Sequence, residues 1–188
     1  MKKIITYEQA CIDSNELDIM VVSYGGSGSN TLTNYLCSLK FKCKSPTWHK
    51  IFCHFPEPLE CFKIKCIYIY DDPRIAFMSM KRRNKYYWDV NQRKLANNSE
   101  VKLSDENLLE LMIKQFMSWT KNPKKNIFII SKKDFFSENR KFLFDFLNIS
   151  PEHYPSWNKP HTYDFDKYKD LFKKYEKEIA YINNYKAF

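Results

Sequence analysis

The alternation of short apolar runs with longer periodic stretches sets the outline of this chain. Asp18–Ser23 is a short apolar run that stops at a glycine cluster, and it reads as a strand. Asn30–Lys40 follows with Leu32, Tyr35, Leu36 and Leu39 at helical spacing. Lys50–Cys53 predicts a second strand, ending at His54-Phe55-Pro56. Cys66–Tyr70 is continuously apolar, as a strand covered on both faces should be. Pro73 suits the first turn of a helix running to about Arg83. Asn84–Val101 is polar and reads as irregular, with Tyr86, Tyr87 and Trp88 clustered in it as candidates for a lid or a site wall.

Ser104 caps a long helix over Asp105–Lys121, and Asn122-Pro123 ends it. Ile127–Ile130 is a further buried strand, after which Ser137 opens a helix carrying Phe142, Leu143, Phe146 and Leu147. A last helix spans about Phe165 to Tyr185. Strands alternating with helices predict an α/β fold of three layers, α/β/α, around a central parallel sheet. Ligands of such sheets gather at the carboxyl ends of the strands, where Tyr24–Thr31, His54 and Asp71–Ser79 lie.

Composition narrows this outline. The 188 residues suit one domain over 1–188, and 44% hydrophobic with 17% aromatic residues supplies a core rather than a disordered chain. The net charge of +9 favours anionic ligands but comes in short, separated pieces, with no basic tail of the kind that grips nucleic acid. No apolar run reaches the roughly 18 residues of a membrane span. Met1–Gln9 has no apolar export segment, so a cytoplasmic protein with reduced cysteines is the expectation. The cysteine and histidine types at Cys43, His49, Cys53, His54, Cys61 and Cys66 lack a Cys-x-x-Cys pair, and no metal is expected.

The three glycines of the chain, Gly25, Gly26 and Gly28, stand together between a strand and a helix. Glycine there admits positive φ and close approach of amides to a ligand, and Ser27, Ser29, Asn30 and Thr31 add donors at a helix N-terminus. An ordinary tight turn is the plain alternative. A nucleotide-triphosphatase loop is excluded by the lack of lysine between Tyr24 and Thr31.

The segment Tyr24-Gly-Gly-Ser-Gly-Ser-Asn30 resembles the phosphosulfate loop of sulfotransferases, with Gly25 for the proline and Gly26 for the basic residue. Ile67–Arg83 is similar to the family's 3′-phosphate segment: Asp72, Pro73 and Ser79 match, and Asp71 replaces an arginine. Cys53-His54-Phe55-Pro56 resembles the segment that carries the family's general base, with Phe52 in place of its lysine. Trp119, Ile127–Ile130, Asp134 and Phe146–Ile149 extend the similarity more loosely.

The resemblance implies a P-loop-like sulfotransferase fold and 3′-phosphoadenosine 5′-phosphosulfate as co-substrate, without a metal. It implies Gly25–Thr31 at the 5′ end, Ser79 at the 3′-phosphate and His54 as base, with His49 a weaker substitute. The acceptor is a hydroxyl or amine of unread class. Arg74, Arg82, Arg83, Lys50 or the lysines of Asn122–Lys133 are candidates to replace the absent cations. Without them, a non-catalytic nucleotide- or anion-binding module on the same fold is the alternative.

Overall fold

A computed structural model describes residues 4–43, 54–83, 85–121, 123–150, 153–154 and 161–187. Among them, β1 (Ile19–Val22), β2 (Lys65–Tyr70) and β3 (Ile127–Ser131) form a parallel three-stranded sheet in the order β1-β2-β3. The register sets Met20 beside Cys66 and Cys66 beside Ile127, so each face is fed by alternate residues of every strand. The strand proposed over Lys50–Cys53 lies outside the described residues, as do His49 and Lys50.

Both faces are covered, which is why the strands read as unbroken apolar runs. Ile19, Val21, Ile67, Ile69 and Ile130 pack against Leu32 and Leu36 of α2 (Ser29–Ser38) and Leu143 and Leu147 of a later helix, Arg140–Leu147. The opposite face carries Met20, Val22, Tyr68 and Tyr70. There the cover comes from α1 (Tyr7–Ser14), α3 (Pro73–Lys81), α5 (Asp105–Thr120) and the C-terminal helices. The α/β reading therefore holds, with a sheet of modest size.

Local chemistry fixes most helix starts. Asp72 caps α3 by accepting from the Arg74 amide at 2.8 Å, with Pro73 in the first turn. Ser104 caps α5 through the Asn107 amide at 3.0 Å, and Asp105 and Glu106 suit its positive end. Trp119 of α5 stacks on Tyr68 at 5.6 Å, and its Nε1–H donates to the Phe55 carbonyl at 3.0 Å. Gln115 donates to the same carbonyl at 2.7 Å, so two buried donors anchor the residue after His54.

Four expectations change. The polar stretch after Arg83 is not irregular: α4 covers Lys85–Leu95. Its buried side mixes Leu95 with the amides Asn91 and Gln92, and Gln92 Oε1 accepts from the Ser104 N–H and the Asn107 Nδ2, each at 3.2 Å. Hydropathy periodicity misses a helix whose inner face carries so many polar groups.

Second, Ser137 does not open the helix after β3. Ser131 caps a short α6 (Lys132–Phe135), and α7 begins at Arg140. Third, the last helix is broken at Tyr175 into α8 (Lys169–Lys174) and α9 (Glu176–Asn184), preceded by a 3-10 turn at Asp166–Tyr168. The halves serve different partners: Phe172 meets Phe77 at 5.6 Å, whereas Tyr185 meets Phe116 at 5.4 Å and Tyr70 at 6.1 Å.

Fourth, Cys11 of α1 is bonded to Cys61, where free thiols were expected. Their Cα atoms stand 5.5 Å apart, within reach of a bridge. Cys37 and Cys66 carry free thiols. Among the described residues no helix is long and apolar enough to cross a membrane.

Candidate functional site: a glycine turn at the head of α2

The glycine turn joins the carboxyl end of β1 to α2. Gly25, Gly26 and Gly28 have φ of 92°, 71° and 88°, a region that side chains disfavour. Each glycine has its own neighbour. A Cβ on Gly26 would stand 2.4 Å from the Ala76 carbonyl oxygen, so here the turn packs backbone to backbone against α3. One on Gly25 would meet Met80 Sδ at 2.8 Å, with Asn91 Nδ2 and His54 Cε1 each at 3.3 Å. Gly28 faces only the aliphatic stem of Lys132, at 3.5 Å and beyond.

The rest of the turn is tied to the sheet. The Ser27 hydroxyl donates to the Ile69 carbonyl at 3.1 Å, and the Ser23 hydroxyl accepts from the Gly25 N–H at 3.1 Å. Tyr24 is fully buried; its hydroxyl donates to the Asp71 carbonyl and accepts from the Asp71 N–H at 2.8 Å. Burial raises the Tyr24 phenol well above its ordinary pKa, so it stays neutral and structural.

What remains is a row of main-chain donors. Leu32 is the first residue of α2 whose N–H reaches a carbonyl, that of Gly28 at 3.1 Å. Among the described residues no protein acceptor takes the N–H groups of residues 26–31. Helices α1, α3, α5 and α6 are capped by a side-chain oxygen, whereas α2 has Gly28 at its cap position and no side-chain cap. Ser27 is 0% and Ser29 6% exposed, and the Ser29 hydroxyl makes no hydrogen bond among the described residues. Unbonded N–H groups and a hydroxyl at a positive helix end suit an oxyanion. Asn30 and Thr31 are exposed on the first turn of α2.

His54 stands at the rim. Its Nδ1 lies 2.8 Å from the Ser23 carbonyl oxygen. A carbonyl only accepts, so Nδ1 carries the hydrogen and Nε2 keeps its lone pair. Burial pushes the imidazole pKa down to about 4; the Ser23 bond opposes this, and the Lys94 and Arg83 charges add to it. The ring is neutral near pH 7.

A stability prediction follows from that shift. The folded pKa lies below the unfolded value of about 6.5, so as pH falls the unfolded chain takes the proton first. The stabilisation is complete above about pH 6.5 and is lost as pH falls towards 4. At about 1.4 kcal/mol per unit this amounts to about 3 kcal/mol. Urea unfolding from pH 7 to pH 4 should show the loss, and His54→Asn, which keeps a donor for Ser23, should remove that part of it. An equal acid loss in the variant would contradict the assignment.

The other expected residues divide. Ser79 is half-buried on α3, three residues beyond the Ala76 that packs on Gly26, and so on the same helix face. Arg83 is exposed, close enough to His54 to act on its charge, while Arg82 is exposed at the end of α3. Arg74 is engaged with Asp72, its Nε at 3.0 Å from Oδ1 and its terminal nitrogen at 2.5 Å from Oδ2. The structure thus sets His54 beside Gly25 and Ala76 of α3 against Gly26, and it holds Arg74 in the cap of α3. Of the aromatic trio, Tyr86 is 69% exposed and Trp88 lies under the Lys81 ammonium at 4.2 Å, both on α4.

Sequence reasoning did not find Asn91 and Lys94, because it did not read α4 as a helix. It counted Lys132 only among the lysines of Asn122–Lys133, and the structure puts that ammonium 2.9 Å from Asp71 Oδ2. The signal for Lys132 was its position immediately after a parallel strand. No protein-family model matches this chain, and neither a curated protein nor a solved structure does.

Proposed function

We propose that this chain is a divergent sulfotransferase, moving a sulfuryl group from 3′-phosphoadenosine 5′-phosphosulfate to a hydroxyl or amine acceptor on a P-loop-like fold. The observation that carries the reading is the row of unbonded N–H groups at residues 26–31 with a neutral imidazole beside Gly25. The turn would hold the phosphosulfate by main-chain donors and the α2 dipole, which favour negative charge as it grows on the leaving phosphate. His54 Nε2 would accept the acceptor's proton as the acceptor oxygen or nitrogen bonds to sulfur. The sulfur–oxygen bond to the 5′-phosphate breaks, and the bisphosphate nucleotide leaves with that electron pair. Ser79 would contact the 3′-phosphate from α3.

The fit is uneven. The amide row suits an oxyanion, whereas Asp71 puts a carboxylate where the resemblance expects an arginine. That carboxylate favours a second reading, an anion- or nucleotide-binding module without turnover.

Calorimetry with adenosine 3′,5′-bisphosphate, and transfer of labelled sulfate to a panel of phenols, sugars, peptides and amines, separate the two. The enzyme reading expects binding and transfer, with His54→Asn slowing transfer about 100-fold and leaving nucleotide affinity within about threefold. Binding without transfer to any acceptor supports the module. No binding of the bisphosphate removes both.

A further inference from the structure

The ion pair between Asp71 and Lys132 has an unusual place. Lys132 is the first residue after β3 and Asp71 the first after β2, so neighbouring parallel strands deliver opposite charges to the head of α2. The lysine stem crosses Gly28, with Cδ, Cγ and Cε at 3.5, 3.6 and 3.9 Å from the position a Cβ there would take. The ammonium then ends 2.9 Å from Asp71 Oδ2, and the two side chains are only 21% and 15% exposed. Asp71 is fixed from behind, since its N–H and carbonyl are both held by the Tyr24 hydroxyl.

Such a pair is a weak device for stability, because desolvating both charges offsets most of their attraction. Burial raises the Asp71 carboxyl pKa, and Lys132 opposes the rise. The surroundings point instead to a ligand. The Ser29 hydroxyl, on a residue 6% exposed, has no partner among the described residues. In an α-helix the Cα–Cβ bond leans towards the N-terminus, so this hydroxyl leans to the end of α2 that Lys132 overhangs.

We propose that Lys132 is the anion-binding cation of the glycine turn and that Asp71 is its resident counter-anion, which a phosphate group must displace in order to bind. The inference rests on the turn being an anion site. It adds which side chain supplies the positive charge absent from the turn itself, and it names the preferred ligand charge. A monoanion that takes the ammonium merely exchanges one negative charge for another and is left facing Asp71. A phosphosulfate or a terminal phosphate, each with about two negative charges, brings more charge to Lys132 and to the N–H groups of residues 26–31, and so competes successfully. The site therefore selects doubly charged phosphate and phosphosulfate groups over carboxylates and other monoanions.

Titration calorimetry on the full chain with inorganic phosphate and with adenosine 3′,5′-bisphosphate tests this. Asp71→Asn should tighten both at least about tenfold, and Lys132→Met should weaken both at least about tenfold. Lys132→Arg should restore binding to within about threefold of the natural chain, and Lys133→Met, on the exposed neighbour, should leave it within about twofold. Acetate should bind Asp71→Asn better than the natural chain. A gain of affinity cannot arise from misfolding, so Asp71→Asn decides the matter even if Lys132→Met unfolds. Phosphate binding unchanged by Lys132→Met, or not tightened by Asp71→Asn, overturns the proposal while leaving the anion site standing. If no variant binds either probe, the anion site itself is lost and this inference with it.

Discussion

Replacing Gly26 by alanine lowers the stability of the fold by about 2–5 kcal/mol, read as a drop in the urea midpoint at unchanged slope. Two costs add. The backbone at φ 71° is left-handed, a conformation that costs a residue with a side chain about 1–2 kcal/mol. The new methyl would also lie 2.4 Å from the Ala76 carbonyl oxygen and 2.9 Å from its Cα. A backbone carbonyl inside α3 cannot swing aside as a side chain does, so either the turn or α3 must shift. Overpacking of this kind costs about 1–3 kcal/mol and occasionally more.

Gly28→Ala is the internal control, because its φ of 88° carries a similar strain while the nearest atom is a lysine methylene at 3.5 Å. It should cost only about 1–2 kcal/mol. Gly25→Ala should fall between them, since the atom it meets at 2.8 Å is the flexible Met80 sulfur. Equal midpoints for the Gly26 and Gly28 variants would mean that the turn does not pack on α3. The assignment of Gly26 to close backbone approach would then be wrong.

Breaking the Cys11–Cys61 bridge lowers stability by about 4 kcal/mol in the chain-entropy account, because the bond closes a loop with a sequence separation of 50 in the unfolded chain. Cys11→Ser, or dithiothreitol, should therefore lower the thermal midpoint, and the two treatments should not add. Free-thiol titration of the unfolded, unreduced protein should find at least two fewer thiols than the six cysteines. Superimposable melts with and without reductant, or a full thiol count, would refute the bridge.

The bridge has a local consequence too. It fastens α1, whose Tyr7 ring stands 6.2 Å from Phe55 and whose hydroxyl donates to Glu57. That hydrogen bond, with burial, raises the Tyr7 phenol to about 12. The residues just after His54 are thus held both by α1 and by Gln115 and Trp119. Reduction should loosen the histidine segment before it melts the sheet.

How much of this was legible beforehand depends on what kind of interaction built each element. The three described strands were readable because each is a short apolar run closed by polar or glycine residues, and burial on both faces leaves no alternation to decipher. The starts of α3 and α5 were readable because Pro73 and Ser104 act on their own neighbours in sequence. The glycine turn was readable for the same reason, since positive φ is a local demand that few residues meet.

The sequence by itself determined the order of the described strands, the starts of α3 and α5 and the turn at the end of β1. Only the tertiary structure decided that α4 is a helix, because its inner face joins Leu95 and Trp88 on the core to a Gln92 amide bonded to Ser104 and Asn107, and so leaves no clean hydrophobic spacing. It alone joined Cys11 to Cys61, broke the last helix at Tyr175, and brought Lys132 across Gly28 to Asp71. These depend on which residues meet across long stretches of chain. A local pattern records what a residue requires of its neighbours in sequence, and it holds no record of the partner that packing supplies.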